Sequence, residues 1–501
     1  MNLTYILLII FIGIITYLPS LFGTFVWDDE DFVNQNVYVA THQYGKFFTE
    51  QAIAGRGKLS NYYRPIQMSI YSFIHQTVGF NPTVYHAVNI AIHIAAALSL
   101  FFFLSTLTAT TTSPFGWTSF APILFLIHPL QTEAVSYISG LSDPLVALFG
   151  FLSLSLFLKS NNHPLFFPLS LLFFIFSLLS KEIGFAFFGI LILLAILKKR
   201  SLMTLLPYTL TSVIYLLFHL QVINVLDMSK VWDSTPYATN IMVRIATFIQ
   251  NIFLSLGLFF FPKDLHMERD LTTPIQNSFF NPYAIIFIIL FLVSVIYFWK
   301  TRKNEQSSLQ LFALTSFFIT LLPYSGIILI NGIFYEHFLY IPIAFLSFFL
   351  LLTIKQLNNV TILFILSLLL ISRSYLRQYD WIDPIRFYTQ TLSFAPDSLR
   401  IRNGLGMAYS DAKVYDKALA TFDDVIIREP LLPNSYHNKG NIFLIQKKYN
   451  EAENMYKKAL EGDSSFTFSI FALYKLYKDT KQIDKLNELI KSYPNILNSR
   501  F

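Results

Sequence analysis

Long apolar segments recur from residue 4 to residue 375, most of them near the length of about 20 helical residues that crosses ~30 Å of hydrocarbon. They fall near 4–22, 83–105, 115–132, 142–158, 164–179, 183–197, 203–223, 282–299, 308–330, 338–354 and 358–375. The pattern predicts an all-α polytopic membrane protein with about eleven spans. Residues 241–261 are apolar enough to add another. A span there, however, would separate the basic runs Lys198, Lys199, Arg200 and Lys300, Arg302, Lys303 onto opposite sides. The positive-inside rule assigns both runs to the cytoplasm, so 241–261 is read as re-entrant or interfacial. With the N-terminus inside and 4–22 retained as a span, residues 23–82 form an outer loop and the C-terminus lies outside.

Near residue 376 the pattern changes to mixed charge with helical periodicity, and a repeat appears. Gly406, Tyr409, Ala418, Phe422 and Pro430 are followed 34 residues later by Gly440, Phe443, Ala452, Tyr456 and Ser464. This is the register of tetratricopeptide repeats, in which small residues let two helices approach and aromatics fill the groove. The chain therefore divides into a membrane domain, 1–375, and an α-solenoid, 376–501. The solenoid comprises a partial leading repeat around Trp381–Leu392, repeats 399–432 and 433–466, and a degenerate closing repeat 467–500.

Composition supports the membrane reading. Of 501 residues, 54% are hydrophobic and 13% charged, against about 25% charge in soluble domains. The 53 Phe and 28 Tyr suit lipid-facing surfaces and interfacial belts, and need no nucleic acid to explain them. The net charge of +6 is modest and follows the topology. Cysteine is absent, which excludes disulfides, thiolate metal sites and a Cys nucleophile.

Ionisable residues in or beside apolar segments are costly and mark functional candidates. The first run is Trp27, Asp28, Asp29, Glu30, Asp31 directly after the first span, where apolar surroundings and like charge raise a carboxylate toward the range of a general base. The others are Tyr62-Tyr63-Arg64-Pro65; His86, Asn89 and His93 on one helix face; His128 to Glu133, with Ser142 and Asp143; Ser180-Lys181-Glu182; Tyr335-Glu336-His337; and Arg373 with Arg377. Five of these clusters fall on the predicted outer side. The bland reading of the acidic run is a solvated loop, that of Lys181 a pair with Glu182, and that of the His86 face helix packing.

In this order and spacing the motifs resemble the transmembrane and tetratricopeptide-repeat-containing proteins, glycosyltransferases of the GT-C type related in architecture to protein O-mannosyltransferases. The resemblance implies a sugar, mannose or another hexose, moved with inversion from a polyprenyl-phosphate donor to an acceptor outside the cytoplasm. It also implies Asp28 or Asp29 as base, with Lys181, Arg64 and His128 as candidates for the donor phosphate. Glu133, Glu182, Glu336 and His337 complete the expected substrate site, His337 standing where the family usually has arginine. A divalent metal, Mg or Mn, held by Asp28 and Asp29 could share the phosphate work. The repeats would recruit a protein or peptide acceptor. A bacterial inner membrane is the expected location, with the endoplasmic reticulum as alternative. The competing readings are a non-catalytic membrane-anchored scaffold and, last, a transporter, for which the two similar halves are missing.

Overall fold

The computed structural model describes residues 3–108, 119–223, 235–354 and 360–497. Parts of three predicted elements (115–118, 358–359 and 498–500) lie outside these residues. The described residues form helices and short turns, dividing into two compact units at Asp383 and Pro384.

The first unit contains α1 (Leu3–Tyr17), α2 (Pro65–Val78), α3 (Pro82–Leu107), α4 (Phe120–Ile127), α5 (Ser142–Lys159), α6 (Phe166–Ser180), α7 (Phe185–Leu197), α8 (Leu206–Val222), α9 (Ile241–Phe260), α10 (Pro282–Thr301), α11 (Glu305–Leu321), α12 (Tyr340–Ile354) and α13 (Val360–Arg377). Among the described residues, nine helical segments are long and apolar enough to cross a membrane by length and composition, and the stretches 166–180 and 182–197 are shorter apolar helices. The chain is a multi-pass membrane protein. α10 illustrates why: Ala284 is its one buried residue, while Ile285, Ile289, Phe291 and Ile296 are exposed. Such a helix is stable only against lipid or a partner.

Helix ends follow local chemistry. Proline occupies the first turn of α2, α3 and α10, where its missing N–H costs nothing. Asn281 and Asn304 cap α10 and α11, accepting from Ala284 N (3.0 Å) and Gln306 N (2.8 Å). Arg200 donates to the carbonyls of Phe157 and Leu158 at the end of α5 (2.6 and 2.7 Å), covering groups that a helix terminus leaves bare.

Two segments differ from the predicted pattern. The predicted span 115–132 is helical over Phe120–Ile127, because Pro129 disfavours helix at His128 and the chain continues as short turns through Leu141. Nearly every side chain from Ala121 to Ala147 is buried among the surrounding helices. α9, read from charge sidedness as re-entrant or interfacial, is long and apolar enough to cross. Tyr237 and Arg244 at its start lie against Gly326, Asn251 donates to Ile333 O (3.1 Å), and Phe259 at its end accepts from and stacks on His128. One face of the bundle carries the turns at 23–64, 128–141, 181–184, 262–281, 322–339 and 378–382.

The second unit begins with α14 (Pro384–Phe394), followed by helix pairs α15 (Leu399–Asp411) with α16 (Tyr415–Arg428), α17 (Pro433–Ile445) with α18 (Tyr449–Gly462), and α19 (Thr467–Asp479) with α20 (Ile483–Ser492). Each pair falls within one predicted repeat. A Cβ on Gly406 would lie 2.5 Å from the Phe422 ring, and one on Gly440 would lie 2.7 Å from Tyr456. The glycines are thus required by the aromatics that fill each repeat.

Candidate active site

The acidic run folds into a compact turn. Trp27 takes a left-handed backbone, φ 55°, which a bulky side chain adopts only when surroundings enforce it. The bonds Asp31 N to Asp28 O (2.9 Å) and Gln35 N to Glu30 O (2.8 Å) close the turn, the latter as one wide i to i+5 loop. Neighbouring segments fix it from outside. Thr24 N donates to Ile382 O (2.9 Å), Ser20 Oγ donates to Gln378 Oε1 (2.8 Å) and lies in hydrogen-bond contact with Ser136 Oγ (2.7 Å), and Tyr137 stacks on Trp381 at 5.3 Å.

This turn separates the two aspartates. Asp29 is fully buried; its carboxylate accepts from Val26 N (2.9 Å), Ser139 N (2.8 Å) and Ser139 Oγ (2.6 Å). Burial pushes its carboxyl up to about 7, although those three donors pull the other way. Asp28 is half-buried, and its backbone N–H donates to the Tyr137 hydroxyl (3.2 Å). Asp31 pairs with Lys58 (2.6 Å) and Arg56 (3.4 Å) away from this pocket.

The predicted cations divide likewise. Arg64 lies over the rings of Tyr62 (4.6 Å) and Phe32 (5.5 Å), a cation–π shelf, and has no ion pair among the described residues. Its Nε is buried without a hydrogen-bond partner. The Tyr62 hydroxyl, raised first by burial, feels the charges of Arg64, Asp28 and Glu182, so these groups share one locality. Glu182 Oε2 is buried and lacks a partner. Lys181 is buried in a two-oxygen contact with Asp143 (2.8 and 2.9 Å) rather than with Glu182.

His128 cannot offer a donor to a phosphate in this arrangement. Its Nδ1 accepts from Leu130 N (3.3 Å) and its Nε2 donates to Phe259 O (3.0 Å), with the ring buried. The helix-face histidine His93 is similarly bonded to Tyr340 and Leu126 O. Glu336 is a buried hub: Oε1 accepts from His266 N (2.7 Å) and Arg269 (3.1 Å), and Oε2 lies 3.5 Å from Arg377. Arg377 in turn holds Asp380 (2.7 Å). Glu133 binds His337 twice, through the backbone N–H (3.1 Å) and Nδ1 (2.7 Å). Burial pushes Glu133 up to about 7 against the pull of Arg377. Sequence reasoning missed Ser139 and Arg269. Ser139 carries no charge signal, whereas the run His266 to Asp270 after an apolar segment was a readable one.

A metal shared by Asp28 and Asp29 does not fit this geometry. Both Asp29 oxygens are turned to protein donors, so the two aspartates do not present a shared pair of ligands.

Comparison with known proteins agrees with the two-unit plan. Residues 433–465 match the tetratricopeptide repeat family. Protein O-mannosyl-transferase F38B6.6 of Caenorhabditis elegans is 26% identical over 444 residues, covering 85% of this chain and 62% of the relative. The chain is similar to protein O-mannosyl-transferases over most of its length. Human Protein O-mannosyl-transferase TMTC2 is 31% identical over 153 residues, covering 30% of this chain and 18% of that protein. Human Protein O-mannosyl-transferase TMTC3 is 21% identical over 499 residues, 89% of this chain and 54% of the relative. The chain thus spans less than two thirds of the length of these relatives.

Proposed function

We propose that the protein is a GT-C-type glycosyltransferase that moves a hexose, with mannose the first choice, from a polyprenyl-phosphate donor to a Ser or Thr hydroxyl of a protein acceptor. The observation that carries this reading is the half-buried Asp28 of the acidic turn together with the Arg64 guanidinium on its aromatic shelf. No carboxylate is bonded to that guanidinium among the described residues. Both charges reach the Tyr62 hydroxyl. The names of the related proteins supply the reaction class.

Asp28 takes the proton of the acceptor hydroxyl as it attacks the anomeric carbon, and inversion follows from attack opposite the departing phosphate. Arg64 binds that phosphate, and Lys181, its charge balanced by Asp143, adds a fixed positive field. Asp29 is a positioning residue that holds the turn and hence the Asp28 side chain. The proposed setting is the extracytoplasmic face of a bacterial inner membrane, with the repeats recruiting the acceptor.

Transfer from a polyprenyl-phosphate-linked mannose to a Ser/Thr peptide, assayed in proteoliposomes, tests this. Asp28→Asn is expected to abolish transfer while thermal unfolding stays unchanged. Wild-type rates in that variant would refute the assignment, and a folded wild-type protein inert toward this donor would favour a scaffold.

A further inference from the structure

We infer that Glu133 and His337 form a proton relay that protonates the departing phosphate of the sugar donor. This rests on the donor-phosphate reading above.

Glu133 is buried, 1% exposed, and both its oxygens face His337. Oε2 accepts the backbone N–H (3.1 Å) and Oε1 meets Nδ1 (2.7 Å). The ring is further held by stacking on Tyr335 (5.4 Å, 15°) and by an edge contact with Phe338 (4.9 Å). Its side chain remains 23% exposed, and Nε2 has no hydrogen-bond partner among the described residues. A carboxylate that fixes one imidazole nitrogen sets the tautomer and leaves the other nitrogen to exchange a proton with a ligand. Three other buried carboxylates on this face have different commitments: Asp29 to Ser139, Asp143 to Lys181, and Glu336 to Arg269 and Arg377.

The charged neighbours suit a phosphate. Lys181, Asp143, Arg64 and Glu336 act on His337, and Arg377, Asp143 and Arg269 act on Glu133. The locality therefore combines four cations with two carboxylates outside the pair. In the step itself, the bond from the anomeric carbon to the phosphate oxygen breaks as the acceptor oxygen bonds to that carbon. Burial first, then Lys181, holds the His337 imidazole down to about 3 while burial pushes Glu133 up to about 7, so the pair starts with its excess proton on Glu133 and a neutral His337 protonated at Nε2. Nε2–H gives its proton to the phosphate oxygen as Nδ1 receives the proton of Glu133. The pair is left as neutral His337 and carboxylate Glu133, and is recharged from solvent. His337 is the catalytic residue and Glu133 its positioning residue.

The test uses the full chain in proteoliposomes with the mannose donor and peptide acceptor, across about pH 6 to 9. Wild-type kcat is expected to fall as pH rises, because the relay works only while it holds its excess proton. His337→Gln is expected to lose kcat by about 10²-fold or more, with donor KM little changed, and to lose that alkaline decline. Glu133→Gln removes the carboxyl that carries the excess proton, which burial pushes up to about 7, and leaves only the imidazole, which burial pushes down to about 3, so the decline should move below this pH range. A wild-type rate that does not fall with pH overturns the relay without need of any variant, as does a wild-type profile in His337→Gln. If the folded wild-type chain transfers nothing from this donor, the donor reading and the relay both fail; if transfer persists and only the profile is unaffected, the relay alone fails.

Discussion

Replacing Asp29 by asparagine should change stability with a sign that reverses with pH. The carboxyl rises from 3.8 to about 7 on folding, so keeping it ionised in the fold costs roughly 4 kcal/mol at 1.36 kcal/mol per pKa unit. The folded chain holds this proton more tightly than the unfolded chain. Its contribution is therefore fully present below about pH 4 and is lost as pH rises toward 7. Asparagine has no such dependence. Its amide oxygen still accepts from Ser139, but its NH₂ must face the Val26 N–H that now lies 2.9 Å from a carboxylate oxygen. That leaves a buried donor unmatched, at about 1–3 kcal/mol. Asp29→Asn should thus unfold at lower temperature than wild type near pH 4 and at equal or higher temperature near pH 8.5. Thermal unfolding in detergent, measured for both proteins across this range, checks it. Glu133 titrates in the same window but is common to both proteins and cancels in the difference. A Tm difference independent of pH would refute the assignment of Asp29 as a buried, titrating staple.

Three further outcomes follow from the same geometry. Lys181→Met should destabilise by about 3–5 kcal/mol because it strands Asp143, whereas Lys181→Met with Asp143→Leu should regain thermal stability; transfer that stays low in the double variant would assign Lys181 a role at the donor. Glu336→Ala leaves Arg269 and Arg377 buried without their shared carboxylate, and should lower stability by about 3–5 kcal/mol in a denaturation assay. Gly406→Ala pushes a methyl to within 2.5 Å of Phe422 and should cost the repeat unit about 1–3 kcal/mol, read as a lower unfolding temperature of that unit.

Much of the fold was legible because it depends on local periodicity. A membrane solvent forces every backbone group into helix, so hydrophobic length located eight of the nine helical segments long enough to cross, while 241–260 was set aside on charge sidedness and the segments near 115–132, 164–179 and 183–197 form shorter helices. The repeats were legible because Gly406 with Phe422 and Gly440 with Tyr456 recur at one spacing. Proline chemistry at Pro129 shortened one helix, and a local signal was present for it. The reading of 241–261 as re-entrant rested on charge sidedness, whereas by length and composition α9 is one of the nine helical segments able to cross a membrane.

The chain by itself determined which residue types are present at each membrane boundary: an acidic turn, cations and histidines on one side. It could not determine their pairings, because several ion pairs at this face join distant residues: Lys181 with Asp143, 38 positions apart, and His337 with Glu133, 204 apart. Two adjacent aspartates were equivalent in sequence. Only the tertiary structure distinguished them, since Ser139, 110 residues away, bonds the buried Asp29, whereas Asp28 is half-buried. Burial and partner geometry are properties of packed segments, and they decide which charge is structure and which is chemistry.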